Sequence, residues 1–218
     1  LNIVRAGDDA VLFLRTPAGQ NLLFDPGKDA NELSAAVSRE LSPWHHSLDQ
    51  VWITRPGTAG ALEYLDEQLP VKAIVVPTII SCPGADVPPS GPPPGIPVES
   101  LPPRAAIRYG GDLTVSLVAE DQQRAALLIT HGSVRVLVPN GVDYALIAET
   151  DPPALRDLAA LVLAEDDISY IPPRVWQQLE PAVILWNSPS LCPVEGWLAP
   201  AAGAPLEILS DGAQLLQP

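Results

Sequence analysis

Strand-rich stretches in both halves of the chain, each accompanied by helical patterns, predict an α+β fold. The expected architecture is a four-layer αββα sandwich, two sheets face to face with helices outside. Three observations carry this. Short apolar runs bounded by Pro, Gly and Asp turns recur from residue 10 to residue 216, as strands do. Hairpin signals near both ends call for antiparallel pairing, which disfavours an ordinary doubly wound sheet. Neither GxGxxG nor GxxxxGKS/T occurs, so no phosphate loop of the usual kinds is present.

Taken in order, residues 10–15 (AVLFLR) and 21–25 (NLLFD) flank the Pro/Gly turn 16–20 and predict a hairpin. Asn31 is placed to cap a helix over 32–41, where Leu33, Ala36, Val37 and Leu41 recur at helical spacing. A strand at 51–54, a helix at 58–69 and a strand at 72–76 follow. Residues 83–103 are proline-rich and cannot continue a helix or a central strand. They are expected to run as a stiff polyproline II connector between the two halves of one domain, 1–218. A docking site for a proline-reading partner is the alternative. The second half resumes with strands at 113–119, 125–130 and 134–138, with a turn at Gly132. Asp151-Pro152 reads as a helix start, and the stripe Leu155, Leu158, Ala159, Val162 carries that helix to about residue 164. A strand at 168–171, a helix after Pro172-Pro173 and a strand at 182–186 come next. Residues 206–209 and 213–216 close around Asp211-Gly212 as a hairpin.

With 218 residues, 47% of them hydrophobic, the chain can bury the core of one domain. No apolar run approaches the roughly 18–20 residues that span a bilayer; the best stretch, 71–80, contains Lys72 and Pro77. The start at Leu1 and the absence of methionine lead us to expect a piece of a longer protein. Twelve Lys and Arg among twenty-six Asp and Glu, net charge −14, provide no basic patch, so direct nucleic-acid binding is not expected. Cys82 and Cys192 each precede a proline; free thiols and a disulfide both remain open, and a thiol count with and without reductant distinguishes them.

Residues 48–60, LDQVWITRPGTAG, place a strand before a turn and a helix. This resembles the central motif of the metallo-β-lactamase superfamily, where the strand ends in Thr-His-x-His-x-Asp-His and the side chains hold two metals. Arg55 stands at the first histidine position, Gly57 at the second, and Thr58-Ala59-Gly60 fill the rest. A guanidinium has no lone pair to give a metal. Residues 3–27 (IVRAGDDAVLFLRTPAGQNLLFDPG) resemble the opening of the C-terminal domain of ComEC-type competence DNA-uptake channel proteins: Asp9-Ala10, the Thr16-Pro17-Ala18-Gly19 turn and Asp25-Pro26-Gly27 match, while Asp8 replaces a glycine. Further along, Gly141 in VRVLVPNG falls where that family has a metal-bridging aspartate. Glu165 and Asp166 in LVLAEDDIS fall where it has a histidine pair.

The resemblance implies a metallo-β-lactamase-like fold whose metal positions (Arg55, Gly57, Gly141, Glu165, Asp166) are vacated. It also implies a bacterial inner-membrane parent with this domain on the extracytoplasmic face. Intact relatives are metal-dependent nucleases; this chain is expected to be a non-catalytic structural or interaction module without cofactor. Its partners would be other domains of its parent or proteins of the uptake machine. The competing reading is a hydrolase with an all-carboxylate site at Asp25, Asp143, Glu165 and Asp166, using Mg²⁺ or Mn²⁺. A free-standing binding module is a third. Each residue also has an ordinary reading. Glu165-Asp166-Asp167 read as a solvated loop. Asp25 reads as an Asp-Pro-Gly turn whose carboxylate bonds its own backbone a residue or two on. His45-His46 read as loop histidines, and His131 as a hairpin residue away from the metal positions. Arg55 is expected either to pair with Asp25 in place of a metal, or to face solvent and recruit an anion.

Overall fold

In the computed structural model the chain opens as an antiparallel meander of β1 (Asn2–Ala6), β2 (Asp9–Arg15) and β3 (Asn21–Phe24). The residues described are 2–6, 9–27, 30–41, 47–55, 57–58, 60–62, 69–80, 95–121, 123–163, 167, 179, 181–186, 198, 206–207 and 209–216. Gly19, at φ +81°, makes the tight reversal between β2 and β3 that a side chain would resist. From β3 onward the pairing turns parallel. α1 (Ala30–Glu40) leads into β4 (Gln50–Trp52), then β5 (Ile74–Pro77) and β6 (Val98–Leu101).

The second sheet runs β7 (Ala106–Tyr109), β8 (Leu113–Asp121), β9 (Arg124–His131) and β10 (Val134–Val138) as antiparallel neighbours. It is completed by β11 (Ala160–Leu163) and β12 (Val183–Trp186) in parallel. α2 (Tyr144–Thr150) and a 3₁₀ turn (Pro152–Leu155) connect β10 to β11. β13 (Leu206–Glu207) joins the first sheet beside β1, and β14 (Leu209–Ser210) pairs with β15 (Leu215–Leu216). Among the described residues the first sheet has seven strands and the second six.

Alternation along the strands builds the layers. Leu12, Leu14, Leu22, Phe24 and Trp52 face Val115, Leu127, Ile129 and Val136 between the sheets. The other face of the first sheet, with Phe13, Leu23 and Val51, packs on Leu33 and Val37 of α1. The other face of the second, with Leu128, Leu137 and Leu161, packs on Tyr144 and Ile147 of α2. Strands such as β3 and β11 are buried on both faces, as parallel strands under helices must be. Each fully buried leucine contributes about 1.5–3 kcal/mol of hydrophobic stabilisation.

The structure corrects several expectations. No helix runs from 151 to 164: Pro152–Leu155 is one 3₁₀ turn and Ala160–Leu163 a central strand, while the helix lies earlier, at Tyr144–Thr150. A short, wholly apolar run fits either state by pattern, and here burial between β10 and β12 decides. Residues 98–101, expected within the connector, form β6 at the sheet edge, where proline neighbours are tolerated. Asn31 lies inside α1 rather than capping it. The C-terminal hairpin is narrower than 206–216, because Leu206–Glu207 is drawn to β1. The strand expected at 168–171, the helix after Pro173, residues 63–68 of the expected helix 58–69 and residues 81–94 of the connector lie outside the described residues. Among the described residues no helix is long and apolar enough to cross a membrane.

Candidate functional site

Where β3 ends, Asp25 takes a left-handed backbone (φ 51°), a conformation Asp tolerates better than most residues. Its amide is held by the Trp52 carbonyl at 2.8 Å. The side chain thereby turns under the chain leaving β4 and is 5% exposed. Its Oδ1 accepts from the Thr54 amide at 2.7 Å, the Thr58 hydroxyl at 2.9 Å and the Arg55 amide at 3.2 Å. Oδ2 accepts from the Thr54 hydroxyl at 2.5 Å and Arg55 Nε at 3.3 Å. A carboxylate has about four lone-pair directions, so these donors occupy its acceptor capacity. Arg55 Nε thus makes a largely desolvated ion pair with Asp25. The local Asx turn expected of Asp-Pro-Gly is replaced by bonds to residues 54, 55 and 58.

The network continues into the second sheet. Asn140 Nδ2, just past β10, donates to Thr54 Oγ1 at 2.8 Å and to the Ala125 carbonyl at 3.0 Å. The Ala125 amide donates to the Thr54 carbonyl at 2.9 Å. Thr54 and Asn140 are both buried, so one threonine relays the Asp25 charge into a cross-sheet hydrogen-bond chain.

Beside it, the Gly141 amide donates to Asp167 Oδ1 at 2.6 Å. Gly141 sits at φ +77°, and a Cβ built on it would overlap Arg124 Nη1. The Arg124 guanidinium therefore fills the space a side chain at position 141 would use. Asp167 is buried, so this member of the acid trio does not belong to a solvated loop. Burial pushes the Tyr144 hydroxyl well above its ordinary pKa, and the Asp167 charge adds to the effect.

The predicted residues separate accordingly. Asp25, Arg55 and Thr58 converge in one cage, which Asn140 joins through Thr54, and Gly141 is Asn140's neighbour in the chain. Gly57, at φ +76°, lies in the turn between Arg55 and Thr58. Asp143 is exposed and caps α2, its Oδ1 accepting from the Ala145 amide at 2.8 Å. Glu165, Asp166, His45, His46, Cys82 and Cys192 lie outside the described residues. Among the described residues no three of His, Cys, Asp and Glu come close enough to hold a metal ion. The described part of the site does not fit a metal: its carboxylate is committed to donors and a guanidinium lies against it. Sequence reasoning misses Thr54, Arg124 and Asn140, and reads Asp167 only as part of the solvated acid trio. The Asn140-Gly141 pair after a strand was the one local signal available.

No protein-family model and no curated protein sequence matches the chain. Solved structures resemble it. Zn²⁺-bound PqqB from Methylobacterium extorquens aligns over 94% of this chain and 89% of its own, with TM-score 0.57 and 15% identity. The metallo-β-lactamase fold protein YhfI from Bacillus subtilis aligns over 82% and 78%, with TM-score 0.52 and 12% identity. Human tRNase Z, short form, aligns over 83% and 85%, with TM-score 0.52 and 11% identity. At such identities the likeness is one of fold, and the chain has an α+β metallo-β-lactamase-like fold.

Proposed function

We propose that this chain is a non-catalytic metallo-β-lactamase-like domain, a structural or interaction module of a bacterial DNA-uptake membrane protein. The observation that carries the loss of catalysis is the Arg55–Asp25 pair at 3.3 Å inside a cage of hydrogen bonds. Arg55 occupies the motif position of the first metal-binding histidine. In this reading its fixed positive charge neutralises Asp25 where a metal would otherwise do so. Asn140 and the Arg124 guanidinium over Gly141 extend the replacement into the second sheet.

The link to DNA uptake rests on the resemblance of residues 3–27. With it come the extracytoplasmic placement and partners among the parent's own domains or the uptake machinery. The hydrolase reading is disfavoured by Asp143 acting as a helix cap and by the saturation of Asp25.

Elemental analysis after equilibration with zinc, manganese and magnesium, followed by dialysis, tests the loss of chemistry. We expect no stoichiometric metal, and no metal-stimulated cleavage of a phosphodiester. Tightly held ions in the unaltered chain would overturn the reading. For the uptake role, the coding sequence upstream of Leu1 should contain several membrane-spanning segments; a soluble parent would reject that assignment and leave the first result untouched.

A further inference from the structure

The chain leaves β10 through a tight turn in which the Val142 amide donates to the Pro139 carbonyl at 3.1 Å. Both central residues have positive φ, Asn140 at 55° and Gly141 at 77°. A turn of that hand selects Asn-Gly, because asparagine and glycine tolerate left-handed backbone better than other residues. The surroundings narrow the choice further. A Cβ at position 141 would overlap the Arg124 guanidinium. The side chain at position 140 meets two acceptors, the Ala125 carbonyl at 3.0 Å and Thr54 Oγ1 at 2.8 Å, and the Thr54 hydroxyl spends its own proton on Asp25 Oδ2. Asparagine supplies the missing donor through its amide nitrogen; an aspartate, with oxygens alone, does not.

These demands produce the dipeptide in which asparagine is chemically least durable. A glycine on the C-terminal side leaves its nitrogen unhindered for attack on the asparagine side-chain carbonyl. Of the five asparagines in the chain, Asn140 alone precedes a glycine. In the closed site both reactants are engaged elsewhere. Asn140 Nδ2 is held by Thr54 and Ala125, and the Gly141 amide donates to Asp167 Oδ1 at 2.6 Å. Attack requires that amide to lose its proton, and an amide anion facing the buried Asp167 carboxylate is disfavoured by like charge. Asn140 is itself buried, away from the water that the reaction consumes.

We propose that Asn140 is a deamidation site, protected while its bonds to Thr54 and Ala125 hold and reactive when they part, and that the reaction makes the parting permanent. The deprotonated Gly141 nitrogen attacks Asn140 Cγ. The new C–N bond closes a succinimide ring as the Cγ–Nδ2 bond breaks, and Nδ2 leaves as ammonia with a proton that replaces the one lost from Gly141. One water then opens the ring. Opening at Cγ leaves aspartate at 140 on an ordinary backbone; opening at the main-chain carbonyl carbon leaves isoaspartate, with the backbone routed through the side chain. Either product carries a carboxylate in place of the amide. Its oxygens bring no proton to the Ala125 carbonyl or to Thr54 Oγ1, so two buried acceptors lose their donor. In the aspartyl product the new negative charge also lies one hydroxyl away from the Asp25 carboxylate.

The test ages the whole chain in mildly alkaline buffer and follows the tryptic peptide Val136–Arg156 by mass spectrometry, with digestion in mild acid. In strong urea the peptide should show the mass change of NH₂ to OH, with ammonia released in equal amount and both aspartyl and isoaspartyl forms present. Without urea the reaction should be slower by about tenfold or more, and it should quicken through sub-denaturing urea in step with amide exchange at Gly141. Thr54→Val, which removes one acceptor, should speed the reaction in the folded chain by a factor of about 3–10. The urea series on the parent decides the matter if that variant does not fold. In strong urea Gly141→Ala should slow the reaction several-fold, because a Cβ crowds the attacking nitrogen. The deamidated chain, refolded, should unfold at a lower urea midpoint than the parent, as should Asn140→Asp made directly. Equal rates with and without urea, an unchanged peptide mass after ageing in strong urea, or a midpoint unmoved by deamidation would overturn the proposal. Metal content is independent of these outcomes, so either conclusion can fail alone.

Discussion

Arg55 and Asp25 form the charged centre of the site, a guanidinium held against a buried carboxylate. Asp25 emerges from β3 beneath the turn that follows β4 and meets a guanidinium and two threonine hydroxyls. Removing one member of a buried pair strands the other. Arg55→Ala should therefore cost about 2–3 kcal/mol, less than a fully buried pair because its side chain is 20% exposed. Urea unfolding checks this, and an unchanged midpoint with an unchanged slope would reject the structural role of the pair. Gly141→Ala adds a Cβ at φ +77° against the Arg124 guanidinium, and a loss of about 1–3 kcal/mol is expected in the same assay. Glu120 in β8 supplies a case of opposite sign. Burial raises its carboxyl pKa, and its Oε1 has no hydrogen-bond partner among the described residues. A raised folded-state pKa means that its contribution to stability is present in acid and is lost as pH rises through that value. Glu120→Gln should thus melt higher than the parent near neutral pH, with the advantage gone below the ordinary glutamate range.

At the scale of elements, strands with local signals were legible and those defined by distant neighbours were not. The β2–β3 hairpin follows from its Pro/Gly turn, and β8 to β10 follow from alternation and Gly132. Ala160–Leu163 misled because its apolar run suits a buried helix as well as a parallel strand; β10 and β12 on either side settle it. The C-terminal hairpin depends on backbone approach, since a Cβ at Gly132 would overlap the Gly212 carbonyl, which the Ser133 amide binds at 2.7 Å. Asp211 organises its turn by accepting from the Ala213 and Gln214 amides at 2.8 and 2.9 Å. The Gln214 bond, then the Ala213 bond, lowers its pKa. A lowered folded-state pKa places this contribution above the unfolded value and removes it as pH falls through the folded one. Asp211→Asn should accordingly speed amide exchange at Ala213 and Gln214 near neutral pH, and the difference from the parent should close only in strong acid. Equal exchange in both proteins at neutral pH would show that the turn holds without the carboxylate.

Across the whole molecule, what holds the two sheets together at the site end is polar and was invisible in sequence. Thr54 and Asn140 are 86 positions apart, and nothing local to either marks the other. That Arg55 cannot ligate a metal is readable from its residue type; its partners are not, because the network is assembled from both halves of the chain. A second tie lies deeper, where Trp52 Nε1 donates to the Tyr109 hydroxyl at 3.2 Å and that hydroxyl donates to Gln50 Oε1. Burial raises the Tyr109 pKa, which keeps the phenol protonated as a donor. If these ties and the shared apolar layer make residues 1–218 one cooperative unit, amides in both sheets should open together. Val75 in β5 and Leu137 in β10 should then show the same exchange free energy in the parent. Asn140→Ala leaves the Ala125 carbonyl and Thr54 hydroxyl short of a donor and should lower both by about 1–3 kcal/mol. A drop at Leu137 with Val75 unmoved would mean that the sheets unfold separately. The polar chain from Asp25 to Asn140 would then be a local brace of the site and not the joint between the two halves.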